Sequence, residues 1–120
     1  MRTAAIAKTT PPAAAATEAA ALKKLAKQAG EAAQHLKLLA NEKRLLILCF
    51  LATRGEMTVG ELVDAVELSQ SALSQHLAKL RADGLVAFRR TSQTLHYSVA
   101  DRRTLQILQV LKEIYCGDLK

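Results

Sequence analysis

The chain has 120 residues, half of them apolar, which suits one modest core and makes a single domain the natural expectation. Its formal charge of +6 and isoelectric point near 9.6 favour a polyanionic partner, through phosphate contacts and counterion release. Aromatic residues make up 3% with no Trp, which disfavours the base-stacking surfaces of single-strand binders, and no run of about 20 apolar residues offers a membrane span.

Charge alone would suit RNA, a membrane surface or a ribosome equally well, so the pattern along the chain has to decide. Residues 1–16 are Ala, Thr and Pro with little to bury, and are expected to form a flexible tail broken by Pro11-Pro12. Lys8, Thr9, Thr10 and the two prolines interrupt the Ala-rich stretch, so it lacks the apolar centre of a secretory signal. The expected compartment is the cytoplasm. There Cys49 and Cys116 would rest as thiols and suit a regulatory role better than a structural one.

Residues 17–120 read as the folded domain. Thr17 can cap a first helix running to about Ala40, with Leu22, Leu25, Leu36, Leu39 and several alanines at helical spacing. That shallow face suits either a dimer contact or plain core packing. Asn41 caps a second helix whose Leu45–Ala52 run is apolar on all sides, as in a buried central helix, and Arg54-Gly55-Glu56 closes it. Met57-Thr58-Val59 reads as a short extended piece. A third helix follows with Leu62, Val63 and Val66 facing inward, and Glu67-Leu68 forms a turn.

Ser69 is a good N-cap for a fourth helix ending at Gly84. Leu73, Leu77 and Leu80 form its apolar stripe; Gln70, Ser71, Ser74, Gln75, Lys79 and Arg81 occupy the polar face. Such a face is often merely solvated. Short polar groups at a helix start followed by a basic one are also what a major-groove reader needs. Downstream, Val86, Phe88 and Arg90 alternate with Ala87 and Arg89, and Leu95, Tyr97 and Val99 with Thr94, His96 and Ser98. With the polar loop Thr91-Ser92-Gln93 between them, these read as an antiparallel hairpin with Arg89 and Arg90 near its tip. Asp101 caps a last helix with two apolar stripes, Leu105, Leu108, Leu111 and Tyr115, then Ile107, Val110 and Ile114. One suits the core and the other a dimer seam with the first helix, unless both are packed within one chain. The expected fold is mainly α with a small β-hairpin wing: a winged helix-turn-helix of four helices, two strands and a fifth helix.

Four stretches carry a specific resemblance: LLANEKRLLIL (Leu38–Leu48), VGEL (Val59–Leu62), LSQSALSQHLAKLRADGLV (Leu68–Val86) and QTLHYSV (Gln93–Val99). Over roughly Glu18 to Cys116 the chain resembles the ArsR family of bacterial winged-helix repressors. The resemblance implies a homodimer formed through the first and fifth helices, operator DNA as partner, and an inducer that weakens DNA binding. Ser69, Gln70, Ser71, Ser74, Gln75 and His76 become candidate base-edge or nearby phosphate contacts, Lys79, Arg89 and Arg90 candidate phosphate contacts, and Thr91 and Gln93 candidate wing contacts. The family's familiar metal patterns are missing. The third helix holds no Cys, Asp101 is followed by Arg102-Arg103, and His35, His76 and His96 are isolated in sequence. No cofactor, metal site or enzymatic activity is expected.

Cys49 and Cys116 match the sulfide- and persulfide-responsive branch, the SqrR, BigR and HlyU-like proteins. In that branch two such thiols are bridged by reactive sulfur and the operator is released. A buried Cys can equally be inert filling. Alternatives are a metal-responsive repressor using the thiolates, a redox-inert anti-repressor, and a thiol enzyme, the last without a Cys-x-x-Cys pair to support it.

Overall fold

The computed structural model describes residues 12–117; of the tail expected over residues 1–16, residues 1–11 lie outside them and residues 12–16 are instead helical. The chain divides into two compact units, residues 1–37 and 38–120. The described part of the first is the body of one helix, α1 (Pro12–Leu39), which starts five residues before the expected Thr17 cap. Pro12 stands at its first position, where a missing N–H breaks no hydrogen bond and the fixed φ already suits a helix. Leu22, Leu25 and Leu36 of α1 are exposed. No helix among the described residues is long and apolar enough to cross a membrane.

The second unit is built around α2 (Glu42–Arg54). Asn41 caps it by accepting from the Arg44 N–H at 3.0 Å, and Gly55 closes it at φ 86°. Ile47, Leu48 and Leu51 are fully buried. The remaining apolar residues of the run are only partly covered, so the helix is central without being enclosed on every side. Next come β1 (Met57–Thr58) and α3 (Val59–Val66), joined by a reciprocal cap: the Glu61 N–H donates to Thr58 Oγ1 and the Thr58 N–H to Glu61 Oε1. Leu62 and Val66 are buried and Val63 is half-buried. Glu67, at φ 55°, turns the chain toward the next helix.

Ser69 caps α4 (Gln70–Ala82) by accepting from the Ala72 N–H at 3.1 Å. At its far end the Leu85 N–H reaches the Leu80 carbonyl at 2.9 Å and the Gly84 N–H the Arg81 carbonyl at 3.0 Å. This Schellman pair holds Gly84 at φ 78° and aims Leu85 and Val86 into the core.

The wing is β2 (Val86–Thr91) and β3 (Thr94–Val99), and it is larger than the two-strand hairpin expected. Met57 and Thr58 pair with Tyr97 and His96, which makes a three-stranded sheet ordered β1-β3-β2. The loop is also shorter than expected. Thr91 pairs with Thr94, leaving Ser92-Gln93 as a two-residue turn with Ser92 at φ 57°. Such turns need positive φ to match strand twist.

Asp101 caps α5 (Arg102–Tyr115), accepting from the Thr104 N–H at 2.9 Å and from its buried hydroxyl at 2.6 Å. Ile107 and Leu108 join the core. Tyr115, in the same helical stripe as Leu108, lies outside that core. It is 77% exposed, because the core cluster takes no residue of α5 beyond Leu108. Val110 and Ile114 are exposed as well.

A Cβ at Gly84 would meet nothing within 4 Å, so only the left-handed backbone opposes a side chain there. Gly84→Ala is therefore expected to lower the unfolding free energy by about 1–2 kcal/mol in urea denaturation. An unchanged midpoint would show that the turn carries no such constraint.

Candidate nucleic-acid interface and thiol pair

Helix α4 divides as its spacing predicts. Leu73, Leu77 and Leu80 are buried, while Ser69, Gln70, Ser71, Ser74, Gln75 and Lys79 are exposed and His76 is half-buried. The exposed side chains share one helix surface with short hydroxyl and amide groups first and basic groups last. Lys79 and Arg81 in the last turn also complement the helix dipole. Arg81 lies over the Phe88 ring at 4.4 Å, and Phe88 packs on Tyr97 with ring centroids 5.4 Å apart. This contact, unread in the sequence, ties the end of α4 to the wing.

The sheet has two unlike faces. Met57, Phe88 and Tyr97 share the inner one; Thr58, Arg89 and His96 are opposed on the outer one. Arg90, Thr91 and Gln93 are exposed near the tip, and Thr91 Oγ1 lies 2.8 Å from His96 Nε2. Arg89 does not stand free like its neighbour. Its guanidinium donates twice to Glu56, Nε to Oε2 at 2.7 Å and Nη2 to Oε1 at 2.9 Å. That pairing holds the Glu56 carboxyl below its ordinary range, first through the hydrogen bond and then through charge, with His96 adding to the effect. Nothing in the sequence signals a contact spanning 33 positions.

The two thiols lie in the same unit, Cys49 on α2 and Cys116 at the end of α5, and these helices pack together. Both are free and half-buried. Burial pushes the Cys49 thiol up, and the charge of Cys116 pushes it further. Lys112 acts in the opposite sense. It lies one turn before Cys116, whose N–H donates to the Lys112 carbonyl at 2.8 Å. The sequence pointed to both thiols but not to this ammonium, although the i, i+4 spacing from Lys112 to Cys116 could have suggested it. Among the described residues no three His, Cys, Asp or Glu side chains are grouped to hold a metal ion.

Residues 41–87 match the family of bacterial regulatory proteins described as the arsR family. The chain is 46% identical over 95 residues to the transcriptional activator HlyU of Vibrio cholerae, covering 79% of this chain and 87% of that one. It is 36% identical over 94 residues to a biofilm growth-associated repressor of Xylella fastidiosa, covering 78% and 82%. The crystal structure of a transcriptional regulator HlyU from Vibrio vulnificus superposes with a TM-score of 0.75 at 45% identity, covering 79% of this chain and 98% of that one.

Reaction of Cys49 requires its thiolate. Because burial raises its pKa and Lys112 lowers it, Lys112→Met is expected to slow alkylation of Cys49 at pH 7 in a Cys116→Ser background. The rate should climb as pH rises toward the thiol's own titration. A rate unchanged or increased by the Lys112 substitution would contradict this reading of the thiol's surroundings.

Proposed function

Because the chain belongs to the arsR family of bacterial regulatory proteins, we propose that it is a DNA-binding transcriptional repressor of the bacterial cytoplasm that senses reactive sulfur through Cys49 and Cys116. It acts as a homodimer. Leu22, Leu25 and Leu36 of α1 are exposed, as are Val110, Ile114 and Tyr115 of α5, and each set offers apolar surface for a second copy to cover. Two α4 helices then enter successive major grooves, one helical turn or a multiple apart.

Gln70, Ser71, Ser74 and Gln75 read base edges, with Ser69 and the half-buried His76 beside them. Lys79, Arg90, Thr91 and Gln93 hold the backbone. Base contacts specify and phosphate contacts position.

The observation that supports the sensing half is the packing of α2, which carries Cys49, on α5, which ends at Cys116. One thiolate attacks the sulfane sulfur of an organic persulfide, RS–SH. The S–S bond breaks, RS⁻ leaves, and the cysteine becomes a persulfide. The second thiolate attacks the sulfur still bonded to carbon and expels HS⁻. Two protein thiols lose two electrons, the sulfane sulfur is reduced to sulfide, and a Cys49–Cys116 disulfide joins α2 to α5. A further equivalent of persulfide would leave a longer sulfur chain instead. The bond biases the dimer toward a shape that fits DNA poorly.

Binding to a duplex selected from genomic DNA tests this. A persulfide donor should weaken the wild type by about 5- to 150-fold, the usual range of such coupling. Cys49→Ser and Cys116→Ser should each abolish the response; a response retained by either variant would contradict the proposal. Gln75→Ala should relax discrimination at one base pair by about 1–3 kcal/mol. Arg90→Ala should instead weaken all sequences alike and lower the salt slope by about one unit for each wing. Equal losses across sequences for both changes would contradict the division between reading and positioning.

A further inference from the structure

We propose that Glu56 withholds Arg89 from DNA, so that of the two adjacent wing arginines only Arg90 contributes a phosphate contact and Glu56 sets how tightly the wing grips. The inference rests on the DNA-binding reading above.

Strand alternation separates the two arginines. Arg90 is opposed to Leu95, and Arg89 to His96 on the outer face. Arg89 meets a carboxylate there side-on, through Nε and Nη2, a bidentate geometry that would otherwise clasp a phosphate. Arg90, also exposed, has no ion-pair partner among the described residues.

The backbone fixes where that carboxylate stands. Gly55 closes α2 immediately before Glu56, and Met57 immediately after it is paired to Tyr97 and buried. Glu56 is thus held at the sheet's edge by its neighbours on both sides, and the ion pair spans β3 to reach β2. The Arg89 side chain remains 57% exposed and that of Glu56 38%, so a duplex approaching the wing meets both. Arg89 offers it a guanidinium whose Nε–Nη2 edge is already taken and whose charge is offset, and Glu56 offers a negative charge. Arg89 in turn holds the carboxylate ionised, so the pair persists at neutral pH.

The test measures the affinity of the full chain for a generic duplex as salt is varied, in wild type, Glu56→Gln, Arg89→Ala, Arg90→Ala and Glu56→Gln/Arg89→Ala. Glu56→Ala serves as a second variant that cannot keep the contact. Each new phosphate contact steepens the dependence of log K on log salt by about 0.9. Glu56→Gln and Glu56→Ala should tighten binding and steepen the slope by about that amount for each wing. Arg89→Ala should leave the wild-type slope unchanged, Arg90→Ala should lower it, and the double variant should return to the wild-type slope. A shallower slope in Arg89→Ala would overturn the proposal, because Arg89 would already hold a phosphate. Steepening that survives in the double variant would also overturn it, because simple loss of a negative charge would then suffice. A wild type that binds no duplex overturns the regulatory reading itself, and the proposal with it.

Discussion

Burial of one face of α2 is the constraint on which the second unit depends. Ile47, Leu48 and Leu51 are removed from water completely, and the helix that carries them packs against α3, β3 and α5. Burial on that scale fixes the rotation of α2 about its axis, because turning it would expose several large side chains at once. Cys49 follows Leu48 directly, so its place at the edge of the core is set by its neighbours' packing. The same burial suppresses its thiolate, while Lys112 on the opposing helix counters it. Packing and reactivity are therefore coupled at this residue: the burial that fixes its place also limits how readily it ionises.

Much of this was legible because it is local. Asn41, Ser69 and Asp101 are caps that act over three residues, and each accepts the N–H that its position implies. The stripe Leu73, Leu77, Leu80 and the alternation of the wing strands are likewise short-range patterns, and both hold in the fold. What escaped was non-local or too short to have a period. Met57-Thr58 could be read as extended, but two residues have no alternation to show a partner, so its pairing with the wing was missed. Pro12 read as a breaker, yet a proline at the first helical position is an opener. Tyr115 has the right helical phase for the core, but phase does not say where the core stops. Of the candidate site, the exposed face of α4 could be assigned from spacing. The neighbours that tune it could not: Glu56 on Arg89, Phe88 under Arg81 and Lys112 near Cys49 all depend on tertiary packing.

The charge of the chain acquires a finer meaning once these neighbours are placed. A net charge of +6 says that a polyanion will be attracted, not which cations meet it. Arg81 is engaged by an aromatic ring and Arg89 by a carboxylate, while Lys79 and Arg90 are exposed. Attraction at long range draws on the whole charge, whereas the grip at contact draws on the groups left to meet phosphate. The Arg81–Phe88–Tyr97 stack has a structural consequence too, since it couples the helix that would read DNA to the sheet that would steady it.

The central claim is that two thiols distant in the chain are neighbours able to share a bond within one protomer. Peptide mass spectrometry of the intact chain treated with a persulfide donor tests it most directly. The account predicts one species in which the peptides carrying Cys49 and Cys116 are joined within a single protomer, by a disulfide or by a longer sulfur chain. Two thiols modified separately, or joined only between protomers, would contradict it.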